Sequence, residues 1–221
     1  MELKIISGVI IFSLAVLGIA LLIPKESTQS TQGLPWQIEH VNNTTRVFGL
    51  TLGQSTLSDA EKILQGNAEI NLFESENGKH SLEAYFDKIE LGGLTAKMIL
   101  VMDFSESDLA DIYQRGLRIS KLGSGSDKVS ISTEDLHRTR NAKIASITYL
   151  PRIDLSATQL EARFGKASKI IHEPGTTAEH WLYPQSGLDV TLDENAKEVL
   201  QYVIPSQFSQ ITEPLLQKNT D

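Results

Sequence analysis

Hydrophobic positions are spaced in three ways along this chain. From Ile5 to Ile23 they form an uncharged run of 19 residues, thirteen of them Ile, Leu, Val or Phe. As a helix at ~1.5 Å per residue the run would reach ~28 Å, close to the ~30 Å hydrocarbon layer of a bilayer. It predicts a transmembrane anchor over residues 1–24, ended by Pro24. Lys4 and the small-x-small pattern Gly18-Ile19-Ala20 also suit a cleaved signal peptide. Cleavage there would leave Leu21-Leu22-Ile23 as an apolar terminus, and the run exceeds the ~7–15 residues usual for such signals, so the anchor is preferred. A short N-terminal tail and a weakly charged exit at Lys25-Glu26 put the following domain outside, which in a bacterium is the periplasm. Lys25 to Gly33 has no apolar residue and opens a flexible stalk over 25–45.

Beyond the stalk, helical and alternating periods take turns. Leu57, Ala60, Ile63 and Leu64 share a helical face, with Ser58 and Glu61 as a capping box and Gly66 as the stop. Alternating stretches follow at 68–74, 82–91 and 96–104. The arrangement recurs: Ser156 and Gln159 can cap a helix over 157–164, with alternation at 167–173, 180–183, 188–192 and 199–204. Between the two sets, Ser105 can cap a helix carrying Leu109, Ile112, Tyr113 and Leu117. Further strands are expected at 128–133 and 144–150, with a helical turn between them and a short helix in the tail 207–216. The expected fold class is therefore α+β, an N-terminal transmembrane helix followed by two tandem helix-plus-antiparallel-sheet units, 46–122 and 123–221, with Gly123-Ser-Gly-Ser126 at their junction.

The entry Phe48-Gly-Leu-Thr-Leu-Gly53, the Ser/Thr-capped helix ending in Gly, and the strand pair Trp181-Leu-Tyr183 and Gly187-Leu-Asp-Val-Thr-Leu192 resemble the small α+β repeat of β-lactamase-inhibitor-like proteins and of the BamE (SmpA/OmlA) lipoproteins. The resemblance implies a two-unit binding scaffold. The lipidated cysteine of those lipoproteins is missing, so neither their location nor their assembly role is carried over.

Composition narrows the chemistry. With no cysteine, disulfides, thiol nucleophiles and cysteine zinc sites are excluded, and a net charge of −8 speaks against a nucleic-acid partner. Nucleophile-elbow, zincin, P-loop and dinucleotide-binding motifs are missing from the sequence. Against the overall charge, residues 115–143 hold seven cations and three anions, a net +4. Arg115, Arg118, Arg138 and Arg140 are the candidate partner-binding residues of this stretch, facing an envelope protein or an anionic polymer, unless folding scatters them over a solvated surface. His172 and His180 lie symmetrically about Thr176, so a hairpin could bring both rings to one sheet face, as a metal pair lacking further ligands or as two solvated imidazoles.

The expected function is that of a non-enzymatic, single-pass protein of the bacterial inner membrane whose periplasmic domain binds or scaffolds another envelope component, with no cofactor. The alternatives are a metal- or carboxylate-dependent hydrolase of an envelope polymer using His172 and His180, and an inhibitor-like module presenting the loop Glu76–His80.

Overall fold

The computed structural model describes residues 33–122 and 126–218, so the predicted membrane segment and residues 25–32 of the predicted stalk lie outside the described residues. Among the described residues no helix is long and apolar enough to cross a membrane. A small antiparallel sheet opens the described chain: β1 (Glu39–Val41), β2 (Thr44–Val47) and β3 (Leu50–Thr51). β1 falls inside the predicted stalk, which therefore gives way to ordered structure earlier than expected.

The larger sheet consists of β4 (Glu69–Glu74), β5 (His80–Leu91), β6 (Leu94–Met102), β7 (Arg118–Lys121), β8 (Asp127–Ser130), β9 (Ile144–Pro151), β10 (Lys169–His172), β11 (Glu179–Tyr183), β12 (Leu188–Leu192) and β13 (Val199–Val203). They stand in the order β10-β11-β12-β13-β9-β6-β5-β4-β8-β7, and all neighbours are antiparallel. This overturns the expected fold class. The described chain is predominantly sheet, and instead of two tandem units it holds one continuous ten-stranded sheet. The reason is β9, which pairs with β6 along one edge and with β13 along the other. Two separate sheets would each leave an unpaired edge at that point, and fusion satisfies both rows of backbone groups. The predicted junction dissolves for the same reason. Lys121 faces Asp127 across a hairpin, and β8 continues onto β4, so the glycine-serine stretch joins neighbouring strands of one half.

Alternation along the strands gives the sheet two unlike faces. Ala96, Met98 and Leu100 of β6, Ile147 and Tyr149 of β9, Leu200 and Tyr202 of β13 and Leu188 and Val190 of β12 are fully buried on the first face. The first, small sheet closes over them with Val47, Phe48, Leu50 and Leu52. Phe48 stacks on Tyr149 at 4.9 Å and meets Tyr202 edge-on at 5.5 Å. The Tyr202 hydroxyl donates to the Pro35 carbonyl (2.8 Å), and burial alone pushes the Tyr149 phenol up to about 12.

Helices α1 (Leu57–Ile63), α2 (Glu106–Gln114), α3 (Thr133–Arg140) and α4 (Ala157–Phe164) contribute to this core through Leu57 and Ala60, Leu109 and Ile112, Leu136, and Leu160 with Phe164. The cap of α1 is Thr56 with Asp59, not Ser58 with Glu61, because Thr56 is the last extended residue and Asp59 stands at the third helical position. Glu61 is thereby released to accept from the Ala68 amide. On the second face only a small apolar patch, Ile171, Leu182 and Val203, is covered, by Phe208 and by Ile211 and Leu215 of α5 (Ser209–Lys218).

Gly187 opens β12 with φ +62°, and a Cβ there would lie 2.0 Å from the Val203 carbonyl oxygen. Gly175 has φ +76° with nothing within 4 Å of its would-be Cβ. Gly175→Ala is therefore expected to cost about 1 kcal/mol of backbone strain, whereas Gly187→Ala should cost about 3 kcal/mol or more because strand β13 must also move. Urea midpoints of the two variants measure this, and equal losses would contradict the close approach.

Candidate functional site

The four candidate arginines do not form one open surface. Arg115 caps α2 and reaches Asp135 in the first turn of α3, with Nη2–Oδ1 at 2.8 Å and Nε–Oδ2 at 3.4 Å. Arg138, in the last turn of α3, reaches back to Asp108 in the first turn of α2 at 2.6 Å. The helices are thus stapled head to tail by two ion pairs, each with its carboxylate at a helix N-terminus, where the backbone dipole also favours it. The Arg138 guanidinium additionally lies 5.1 Å from the Phe104 ring centre. Arg140 extends the chain of charges to Glu61 of α1 at 3.4 Å. Helix N-termini thus supply carboxylates for Arg115 and Arg138, which sequence spacing could not reveal because the partners lie 20 and 30 residues away.

Arg118 stands apart. It begins β7, the outermost strand, is exposed, and makes no ion pair with a described residue. Beside it Leu117 is 71 % exposed, Ile119 50 % and Leu122 39 %. Three of the seven exposed large hydrophobic residues of the described chain thus fall within six positions. The sharp turn from α2 into this strand depends on Gly116, whose missing Cβ leaves room for Val129 Cγ1, 2.4 Å from where that Cβ would sit.

The histidine pair is separated by register. In the β10–β11 hairpin His172 faces Glu179 and His180 faces Ile171, one residue away from the symmetric pairing about Thr176. One residue of offset moves a side chain to the opposite face. His172 is exposed, while His180 is buried on the second face. There its Nδ1–H donates to Asp189 Oδ2 at 2.8 Å, with Thr191 Oγ1 at 3.3 Å, and its Nε2 lies 3.8 Å from Glu173 Oε2. Asp189 is 2 % exposed and sits diagonally on the neighbouring strand, so sequence pattern gave no sign of the pairing. Burial lowers the imidazole's affinity for a proton, but the hydrogen bond and charge of Asp189, reinforced by Glu173, outweigh it, and the His180 pKa is raised.

Two cavities flank these elements. One, of about 450 Å³, lies beneath α5 and is lined by His180, Asp189, Thr191, Gln201 and Gln207. The other, of about 670 Å³, adjoins the start of α4, where Glu198 accepts from the Leu155 amide at 2.9 Å and Lys197 pairs with Asp154. Among the described residues no group of three or more histidines and carboxylates is arranged to hold a metal ion. The predicted inhibitor-like loop is a tight turn closed on itself, with Ser75 Oγ bonded to Asn77 Oδ1 (2.6 Å) and to the Lys79 carbonyl (2.9 Å), and with His80 held between Glu74 (3.5 Å) and the Tyr113 ring.

The chain matches no protein-family model, no curated protein and no solved structure.

Two pH dependences follow. Asp135 is 2 % exposed, and the hydrogen bond from Arg115, then that from Ser132, hold its carboxyl below the usual 3.8 despite burial. A depressed folded-state pKa stabilises above the unfolded value and is lost as pH falls through the folded one. Asp135→Asn should therefore destabilise by about 1–3 kcal/mol at neutral pH, with the gap to the native chain closing as pH falls below the usual carboxylate range and through the lowered folded-state value, as urea unfolding at several pH values would show. His180 has the opposite sign. Its contribution is complete below about pH 6.5 and is lost as pH rises through the higher folded-state value. NMR titration should place the His180 midpoint above the ordinary 6.5, and Asp189→Asn should lower it; an unchanged midpoint would dismiss the pairing.

Proposed function

We propose that this chain is a non-enzymatic binding protein of a bacterial envelope, attached to the inner membrane by its apolar N-terminal segment, and that it docks another envelope component along the open edge of β7. The observation that carries the reading is the concentration of exposed Leu117, Ile119 and Leu122 around Arg118, which has no ion-pair partner among the described residues, on the edge strand β7. A strand edge presents a row of free N–H and C=O groups, and proteins ordinarily blunt such edges with charge, proline or a covering element. Here the edge strand carries a cation at each end, Arg118 and Lys121, with exposed Leu117, Ile119 and Leu122 beside and between them, and no described element covers it, which suits strand addition by a partner of complementary charge. Arg118 is the one residue of the candidate arginine group that serves this role. Arg115, Arg138 and Arg140 instead hold the helices together. The metal-dependent form of the hydrolase alternative loses the histidine pair it called on, since His172 and His180 lie on opposite faces.

The test is photo-crosslinking in intact cells of the native host. A photoreactive phenylalanine analogue at position 119 should give a discrete crosslinked species, whereas the same analogue at Ile63, which is 41 % exposed on α1, should not. Identical patterns from both positions, or none from position 119, would overturn the docking reading.

A further inference from the structure

We infer that the partner presents an extended segment in which acidic and apolar residues alternate, and that it pairs with β7 through the backbone of Ile119 and Lys121. The inference rests on the docking reading above and names the chemistry that would occupy that edge.

Backbone parity fixes which groups are free. The Leu122 amide donates to the Ser126 carbonyl at 2.8 Å, and the register continues as Lys121 opposite Asp127, Ser120 opposite Lys128, Ile119 opposite Val129 and Arg118 opposite Ser130. In an antiparallel ladder, bonded and non-bonded pairs alternate. Leu122, Ser120 and Arg118 therefore spend their backbone groups on β8. Ile119 and Lys121 turn theirs outward, offering two donors and two acceptors to an incoming strand.

Side-chain alternation then fixes what that strand should carry. Arg118 and Ser120 lie on the sheet's second face with Lys128 and Phe73, whereas Ile119 lies on the first face beside Val129. A residue added next to Arg118 meets an exposed guanidinium without an ion-pair partner among the described residues, and a carboxylate there makes a favourable cross-strand pair. A residue added next to Ile119 meets a half-exposed sec-butyl side chain and gains by being apolar. Lys121 already bridges Asp127 at 3.0 Å across the hairpin, so it adds positive field more than a vacant partner.

The same charges disfavour a second copy of the chain as the occupant. Pairing β7 with β7 would bring Arg118 and Lys121 of both copies into one ladder, where like charges repel. An acidic strand meets no such repulsion at the edge. With only four residues in β7 the contact is short, and its affinity should gain from a partner held in the same membrane, where tethering raises the effective concentration.

The probe is the synthetic peptide acetyl-Thr-Glu-Val-Glu-Val-Thr-amide, titrated into the isotopically labelled full chain in phosphatidylcholine bicelles. Amide shifts and slowed hydrogen exchange are expected at Ile119 and Lys121 and not at Ser120. Replacing both glutamates by lysine should weaken binding at least tenfold. Arg118→Glu, a change at an exposed side chain, should reverse that preference. Equal affinity for the two peptides would overturn the inference while leaving the crosslinking result at position 119 to decide the docking reading. Shifts at Arg118 produced by doping the bicelles with phosphatidylglycerol, with none from the peptide, would overturn it in favour of a lipid headgroup.

Discussion

The strand Ile144–Pro151 is the constraint on which the described architecture depends. Its neighbours on both sides come from distant parts of the chain, Leu94–Met102 and Val199–Val203, and its inward residues Ile147 and Tyr149 are wholly excluded from water. A buried backbone group without a partner costs about 1–3 kcal/mol, so an eight-residue strand at the centre of the core must find ladders on both edges. That requirement, more than any local preference, fuses two similar sets of helix and strands into one sheet. It also explains why Tyr149 can surrender its hydroxyl to the interior: its ring packs against Phe48 and its backbone is held on both sides.

The helix layer illustrates a second trade between local and distant forces. Cationic residues collect between Arg115 and Lys143, yet Arg115, Arg138 and Arg140 each meet a carboxylate on a neighbouring helix. Asp135 is the most committed member, since it accepts from Ser132 at the helix cap and from Arg115 across the interface while being almost fully buried. Removing either partner leaves a charge that the interior solvates poorly, whereas Arg118 can change without such a cost.

Local signals were legible in the sequence to the extent that the forces behind them act within a few residues. The helix Ala157–Phe164 begins at Ser156 and is boxed by Gln159, and the strand Leu188–Leu192 lies where alternation and flanking turn residues put it. Failures began one step further out. Thr56 took the cap from Ser58 because the chain stays extended one residue pair less than the pattern suggested. The hairpin through Thr176 closed one residue off symmetry, which sent His172 and His180 to opposite faces. No periodicity encodes which strand sits beside Ile144–Pro151, and none encodes the diagonal contact of His180 with Asp189, because both depend on the assembled sheet. Of the proposed docking site, Arg118 was visible as a cation, but its difference from the neighbouring arginines was not.

The two ends of the ten-stranded sheet show how differently an edge can be treated. At one end Lys169–His172 has a single exposed hydrophobic residue in Ile170 and Pro174 two residues beyond, which cannot extend a ladder. That edge has the features by which sheets avoid unwanted partners. At the other end Arg118–Lys121 is flanked and interrupted by leucine and isoleucine, and no described element lies over it. A long edge of this kind would invite indiscriminate aggregation, but four residues supply too few backbone bonds to hold a random strand. Selectivity then has to come from the side chains, and a cation set among hydrophobic neighbours discriminates by charge between otherwise similar extended segments.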